Sequence, residues 1–139
     1  MSSRTFLDTS TKRQNSTILL VEDEDDTASL VQLMCERKGF TVVRARDGRV
    51  ALALMTSMAP TSLVLLDMIL PYHNGYEVLE SFRRDDNWKT VPIVMLTANS
   101  YKPDAHKAML LGATRYIVKE DGPEKLSAVI NSVLENIYA

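Results

Sequence analysis

Short apolar runs recur along this chain at about residues 17–21, 40–44, 62–66, 91–96 and 115–118. Between them, apolar residues return every three or four positions, at about 26–38, 48–58, 76–85, 102–111 and 123–137. A run of four to eight apolar residues bounded by turn formers reads as a strand, and i, i+3, i+4 spacing reads as one stripe of a helix. The last helix is the plainest, with Leu126, Val129, Ile130, Val133, Leu134 and Ile137 on a single face. Leu30, Val31 and Met34 form a similar stripe on the first. Local chemistry agrees with these limits: Gly39 and Gly112 suit helix stops, Asp47 suits a helix start, and Pro103 fits the first turn of the fourth helix. Strands alternating with helices predict an α/β fold, a doubly wound five-stranded parallel sheet with helices on both faces.

The chain has 139 residues, enough for one domain that buries about two thirds of its unfolded surface. Its 45% hydrophobic and 24% charged content is that of an ordinary globular protein. Sixteen basic against eighteen acidic residues give a net charge of -2, without a basic helical face, so direct nucleic-acid binding is not expected. The single cysteine, Cys35, excludes an internal disulfide and a Cys/His metal framework, and it fits a reducing, cytoplasmic setting. No apolar run reaches the ~18 to 20 residues of a membrane span, and no signal peptide is evident. Residues 1–16, rich in Ser and Thr, read as a flexible tail before a folded domain over 17–139. With no further module after the fifth helix, a stand-alone domain is expected.

Chemistry enters at the strand ends. Glu22 and Asp23 follow the first strand, Asp67 the third, Thr97 the fourth and Lys119 the fifth. In an open α/β sheet ligands bind outside the carboxyl ends of the strands, so these groups predict one shared pocket. Glu24, Asp25 and Asp26 need only the first-turn helix dipole to explain them. Glu22, Asp23 and Asp67 differ: carboxylates ~4 Å apart repel by ~4 kcal/mol at an effective dielectric near 20, and a cation must offset that. Oxygen donors without His or Cys suit a hard ion, Mg²⁺ before Ca²⁺. In isolation Asp67 reads equally as a helix cap or as a nucleophile able to form an acyl phosphate. Thr97, followed by the small Ala98, is either a strand-end residue or a donor to a phosphoryl oxygen. Lys119 either snorkels to solvent or stabilises phosphoryl charge. His73 reads as a solvated loop residue, and Trp88 and the seven methionines as packing.

These residues in this order resemble the receiver domain of two-component response regulators, over about residues 17–137. The segments that carry the likeness are ILLVEDE at 18–24, LLDMILPYHNG at 65–75, MLTA at 95–98 and GATRYIVK at 112–119. Asp23, Asp67, Thr97 and Lys119 are 44, 30 and 22 residues apart, spacings typical of the family. The resemblance implies the sheet order 2-1-3-4-5, with Asp67 as phosphoacceptor. It implies Mg²⁺ held by Asp23, Asp67 and the Ile69 backbone carbonyl, with Glu22 helping through water. Lys119 and Thr97 would contact the phosphoryl group, and Thr97, Ala98 and Tyr116 would act as the switch. The donor would be a histidine kinase or phosphotransferase, and the output a downstream protein target. The chain would be a monomer or a weak homodimer through the fourth helix, fifth strand and fifth helix. Such a protein is a signalling switch rather than an enzyme, catalysing only its own phosphorylation and dephosphorylation.

One departure stands out: Glu120 follows Lys119 where the family usually has proline. A trans bond is expected there, with Glu120 and Asp121 drawing the lysine away from the pocket. That departure favours one alternative, a degenerate receiver acting as a phosphorylation-independent interaction module. An aspartyl-phosphate phosphohydrolase is disfavoured because Ile69 stands where a second Asp is needed. A nucleotide-binding relative of flavodoxin lacks its glycine-rich phosphate loop.

Overall fold

A computed structural model describes residues 16–98 and 102–138, so residues 1–15 of the expected tail lie outside the described residues. The elements run β1 (Thr17–Val21), α1 (Asp25–Arg37), β2 (Thr41–Ala45), α2 (Gly48–Ser57), β3 (Leu63–Asp67), α3 (Gly75–Arg84), β4 (Ile93–Thr97), α4 (Lys102–Leu110), β5 (Arg115–Val118) and α5 (Pro123–Tyr138). A 3-10 turn, Lys119–Asp121, joins β5 to α5. The sheet is parallel throughout in the order β2-β1-β3-β4-β5, as the resemblance implied.

Every residue of β3 and β4 is buried, as is β1 from Ile18 onward, which is why these strands read as unbroken apolar runs. Alternate residues feed two cores. Ile18, Leu20, Leu65, Val94 and Leu96 meet Val31 and Cys35 of α1 and Ile130 and Leu134 of α5. Leu19, Val21, Leu66, Ile93 and Met95 meet the other face, where Ala51, Val78, Leu79, Phe82 and Ala108 come from α2, α3 and α4. Trp88 belongs to this second core, fully buried, with its indole N–H donating to the Met55 carbonyl at 2.8 Å and its ring edge-on to Phe82.

β5 is an edge strand, and Arg115 and Tyr116 are exposed while Ile117 is buried.

The cap chemistry is local and specific. Glu24 caps α1 by accepting from the Thr27 and Asp26 amides, leaving Asp25 and Asp26 in the first turn. Asp47 caps α2 through the Val50 amide at 2.9 Å. Gly112 takes φ +109 after α4, and its carbonyl accepts from Arg83 Nε at 2.7 Å. Lys38, at the end of α1, ties to α5 by donating to Ser127 Oγ and Asn131 Oδ1.

Cys35 is fully buried, and burial pushes its thiol from 9.0 up to about 11. Because the folded-state value is raised, the thiol contributes stability fully below 9.0 that is lost as pH rises toward 11. Alkylation of Cys35 at mildly alkaline pH is therefore expected to be negligible in the native protein and complete within minutes after denaturant is added. Prompt labelling of the native state, read by intact mass, would show that the α1 face is not closed.

Candidate functional site

Strand register sets the site. Val21 lies beside Leu66, so Glu22 is level with Asp67; Asp67 lies beside Leu96, and Thr97 beside Val118. The β1, β3, β4 and β5 ends therefore bring Glu22, Asp67, Thr97 and Lys119 to the carboxyl end of the sheet.

Lys119 organises the carboxylates. Its Nζ lies 2.8 Å from Glu22 Oε1 and 2.9 Å from Asp67 Oδ2, with Glu22 fully buried and Asp67 nearly so. The other oxygens are held by backbone: Glu22 Oε2 accepts from the Glu24 amide at 3.1 Å, and Asp67 Oδ1 from the Ile69 amide at 3.2 Å. Asp23 is exposed, yet one oxygen from each of Glu22, Asp23 and Asp67 lies within 4.8 Å of the others. Thr97 is buried at the β4 end, Ala98 beyond it is exposed, and Tyr116 sits 41% exposed on β5.

The expected displacement of Lys119 does not occur. The Lys119–Glu120 bond is trans, yet the 3-10 turn carries Glu120 and Asp121 to the surface, where Asp121 pairs with Lys125 at 3.2 Å. Lys119 is left to the buried carboxylates.

The electrostatics are asymmetric. Burial raises the Glu22 pKa and outweighs the Lys119 hydrogen bond that opposes it, and the Asp67 charge raises it further. Burial on its own would lower the Lys119 pKa, but its bonds to Glu22 and Asp67 prevail and raise it. Three carboxylates against one ammonium leave an excess of negative charge in a partly buried pocket of oxygen donors. This donor set fits a hard divalent ion, which would relieve the repulsion that a single lysine leaves.

Close approach explains the glycine at the start of α3. A Cβ on Gly75 would lie 2.5 Å from the Asp67 carbonyl oxygen and 2.6 Å from Met68 Cα, so the loop after Asp67 can close only over a glycine. His73 packs its Cβ against Gly48 and lies 4.0 Å from the Glu77 carboxylate, a structural position on the loop.

Several neighbours of the site were not singled out from the sequence. Arg44 donates from Nε to the Glu22 carbonyl at 3.0 Å and pairs with Asp25 at 2.9 Å, pinning the turn after β1. A lone arginine inside the apolar run of β2 was the available signal. Arg49 lies over the Tyr72 ring at 3.6 Å from its centroid, a contact no local pattern announces.

Comparison with known proteins agrees with this geometry. A family model described as the response regulator receiver domain matches residues 18–131. The probable transcriptional regulator ycf27 of Porphyridium aerugineum is 36% identical over 124 residues, covering 89% of this chain and 50% of that protein. The alkaline phosphatase synthesis transcriptional regulatory protein PhoP of Bacillus subtilis is 35% identical over 120 residues, 86% of this chain and 49% of its own. The chain thus spans about half the length of the curated relatives it matches. Among solved structures, the receiver domain of sensor histidine kinase PA1611 from Pseudomonas aeruginosa superposes with a TM-score of 0.78 at 26% identity, covering 87% of this chain and 98% of that one. That crystal structure has a magnesium ion coordinated in its active-site cleft.

Proposed function

The chain belongs to the response regulator receiver domain family, and from that premise we propose that Asp67 accepts a phosphoryl group from a histidine kinase or phosphotransferase in the presence of Mg²⁺. The observation that carries this reading is Lys119 Nζ bridging Asp67 and Glu22 beside Asp23. A carboxylate oxygen of Asp67 attacks phosphorus, the bond to the donor breaks, and the donor leaves with its electron pair and takes up a proton. Phosphoryl transfer is catalysed mainly by positioning and charge stabilisation. Lys119 and the Thr97 hydroxyl would hold the phosphoryl oxygens, with Thr97 buried at the β4 end and Lys119 already on Asp67. Asp23, Asp67 and the Ile69 carbonyl would hold the ion, with Glu22 acting through water; when bound, the ion neutralises these carboxylates and the incoming phosphoryl charge.

Output would be a change of binding surface rather than turnover, so the chain acts as a switch. Thr97 and Ala98 would follow the phosphoryl group, and Tyr116, outward-facing here, would turn inward. The face formed by α4, β5 and α5 would then meet a downstream protein or a second copy. Transcription is what the relatives' names state of those longer proteins. For this chain the proposed partners are proteins in the cytoplasm, without direct nucleic-acid contact. Among the described residues no helix is long and apolar enough to cross a membrane.

Beryllium fluoride, a phosphoryl mimic, tests the reading. Calorimetry is expected to show binding with Mg²⁺ and none without it, and amide spectra should shift at Thr97 and Tyr116 together. Binding that ignores Mg²⁺, or no binding at all, would overturn the proposal and favour an interaction module.

A further inference from the structure

We infer that Arg49 is a positioning residue: by stacking on Tyr72 it holds the loop after Asp67 in the conformation that keeps the Ile69 amide on the Asp67 carboxylate. The inference rests on the proposed function only where it concerns the metal, since the Ile69 carbonyl belongs to the same stretch of backbone.

The loop is strained at one point. Tyr72 has φ +72, the single positive value at a non-glycine position among the described residues. That region is uncommon for L-residues and rarer for a bulky one. Burial does not hold Tyr72 there, because it is 67% exposed. What meets its ring is the Arg49 guanidinium, with Cζ 3.6 Å from the centroid, a cation over the negative face of an aromatic ring.

Three neighbouring contacts extend that stack into a clamp. The Gly48 amide donates to the Pro71 carbonyl at 3.5 Å, and the His73 amide donates to the same oxygen at 2.9 Å. A Cβ on Gly48 would lie 2.6 Å from His73 Cβ, so α2 begins in direct contact with the loop. The loop is also closed at its base, where the Gly75 amide donates to the Met68 carbonyl at 2.8 Å. With both ends pinned and Leu70 buried beneath, a backbone change at Tyr72 has few residues over which to dissipate before it reaches Ile69.

The test needs no metal for its first readout. In metal-free protein, Arg49→Ala is expected to speed exchange of the Ile69 amide about two- to fivefold, the worth of an exposed cation–π contact. Mg²⁺ affinity measured by calorimetry should fall by a similar factor while the unfolding midpoint barely moves. Arg49→Lys, which keeps the cation but not the planar stack, should recover part of both effects. Tyr72→Gly removes the strain itself, so adding Arg49→Ala in that background should change nothing further. Unchanged Ile69 exchange in Arg49→Ala, or the same loss with Tyr72→Gly present, would overturn the clamp. A wild-type protein that binds no Mg²⁺ would count against the proposed function instead, and the Ile69 exchange would still decide the role of Arg49.

Discussion

Asp67→Asn is expected to reduce labelling by a small phosphodonor to background while leaving the fold intact. The amide is nearly isosteric, so it keeps an oxygen for the Ile69 amide, but it is no nucleophile for phosphorus at neutral pH. The loss should not be a folding defect, for an electrostatic reason. The Asp67 charge is one of the causes that raise the Glu22 pKa, and removing it relieves that repulsion in a pocket with three carboxylates and one ammonium. Metal-free Asp67→Asn should therefore be no less stable than the wild type, and Mg²⁺ should stabilise it less, because one of the proposed ligands has lost its charge. Intact-mass measurement of the phosphoryl adduct, beside thermal unfolding with and without Mg²⁺, separates the two effects. Undiminished labelling of the mutant would sink the assignment of Asp67.

Sheet architecture was legible because burial leaves a coarse mark. β3 and β4 are covered on both faces, and Leu63 to Leu66 and Ile93 to Leu96 are apolar without a break. Proximity of Glu22, Asp67, Thr97 and Lys119 was legible as well: each ends or directly follows a strand, and parallel strands in register bring their ends level. Direction was harder to read. Glu120 and Asp121 show that charge stands next to Lys119 but not that a 3-10 turn sends them outward, with Lys125 one helical turn along to receive Asp121. Exposure was equally hidden in β5, whose apolar run resembles that of a covered strand although Tyr116 lies open at the edge. The Arg49–Tyr72 stack joins a helix start to a loop, and its energy is visible in neither segment taken separately.

Removing the lysine has the second large effect. Lys119→Met should lower the stability of the metal-free protein by about 3 kcal/mol near neutral pH, since breaking a buried ion pair leaves its partner charges uncompensated. For a domain of this size that corresponds to a fall in unfolding midpoint of roughly 10 °C. The deficit carries a pH signature. The folded-state pKa of Glu22 is raised above 4.5, so its protonation contributes stability that is fully present below that value and lost as pH rises through the folded-state value. The hydrogen bond from Lys119 is the largest influence holding that pKa down, and without it Glu22 shifts further up. The mutant should accordingly recover more stability than the wild type as pH falls from neutral toward 4.5. Mg²⁺ should narrow the gap at pH 8 by supplying the missing positive charge, whereas a monovalent salt at equal ionic strength should not. Thermal unfolding across that pH range, with Mg²⁺ or with the matched salt, checks each part. A mutant as stable as the wild type at pH 8, indifferent to both pH and Mg²⁺, would mean that Lys119 does not hold the carboxylate cluster together.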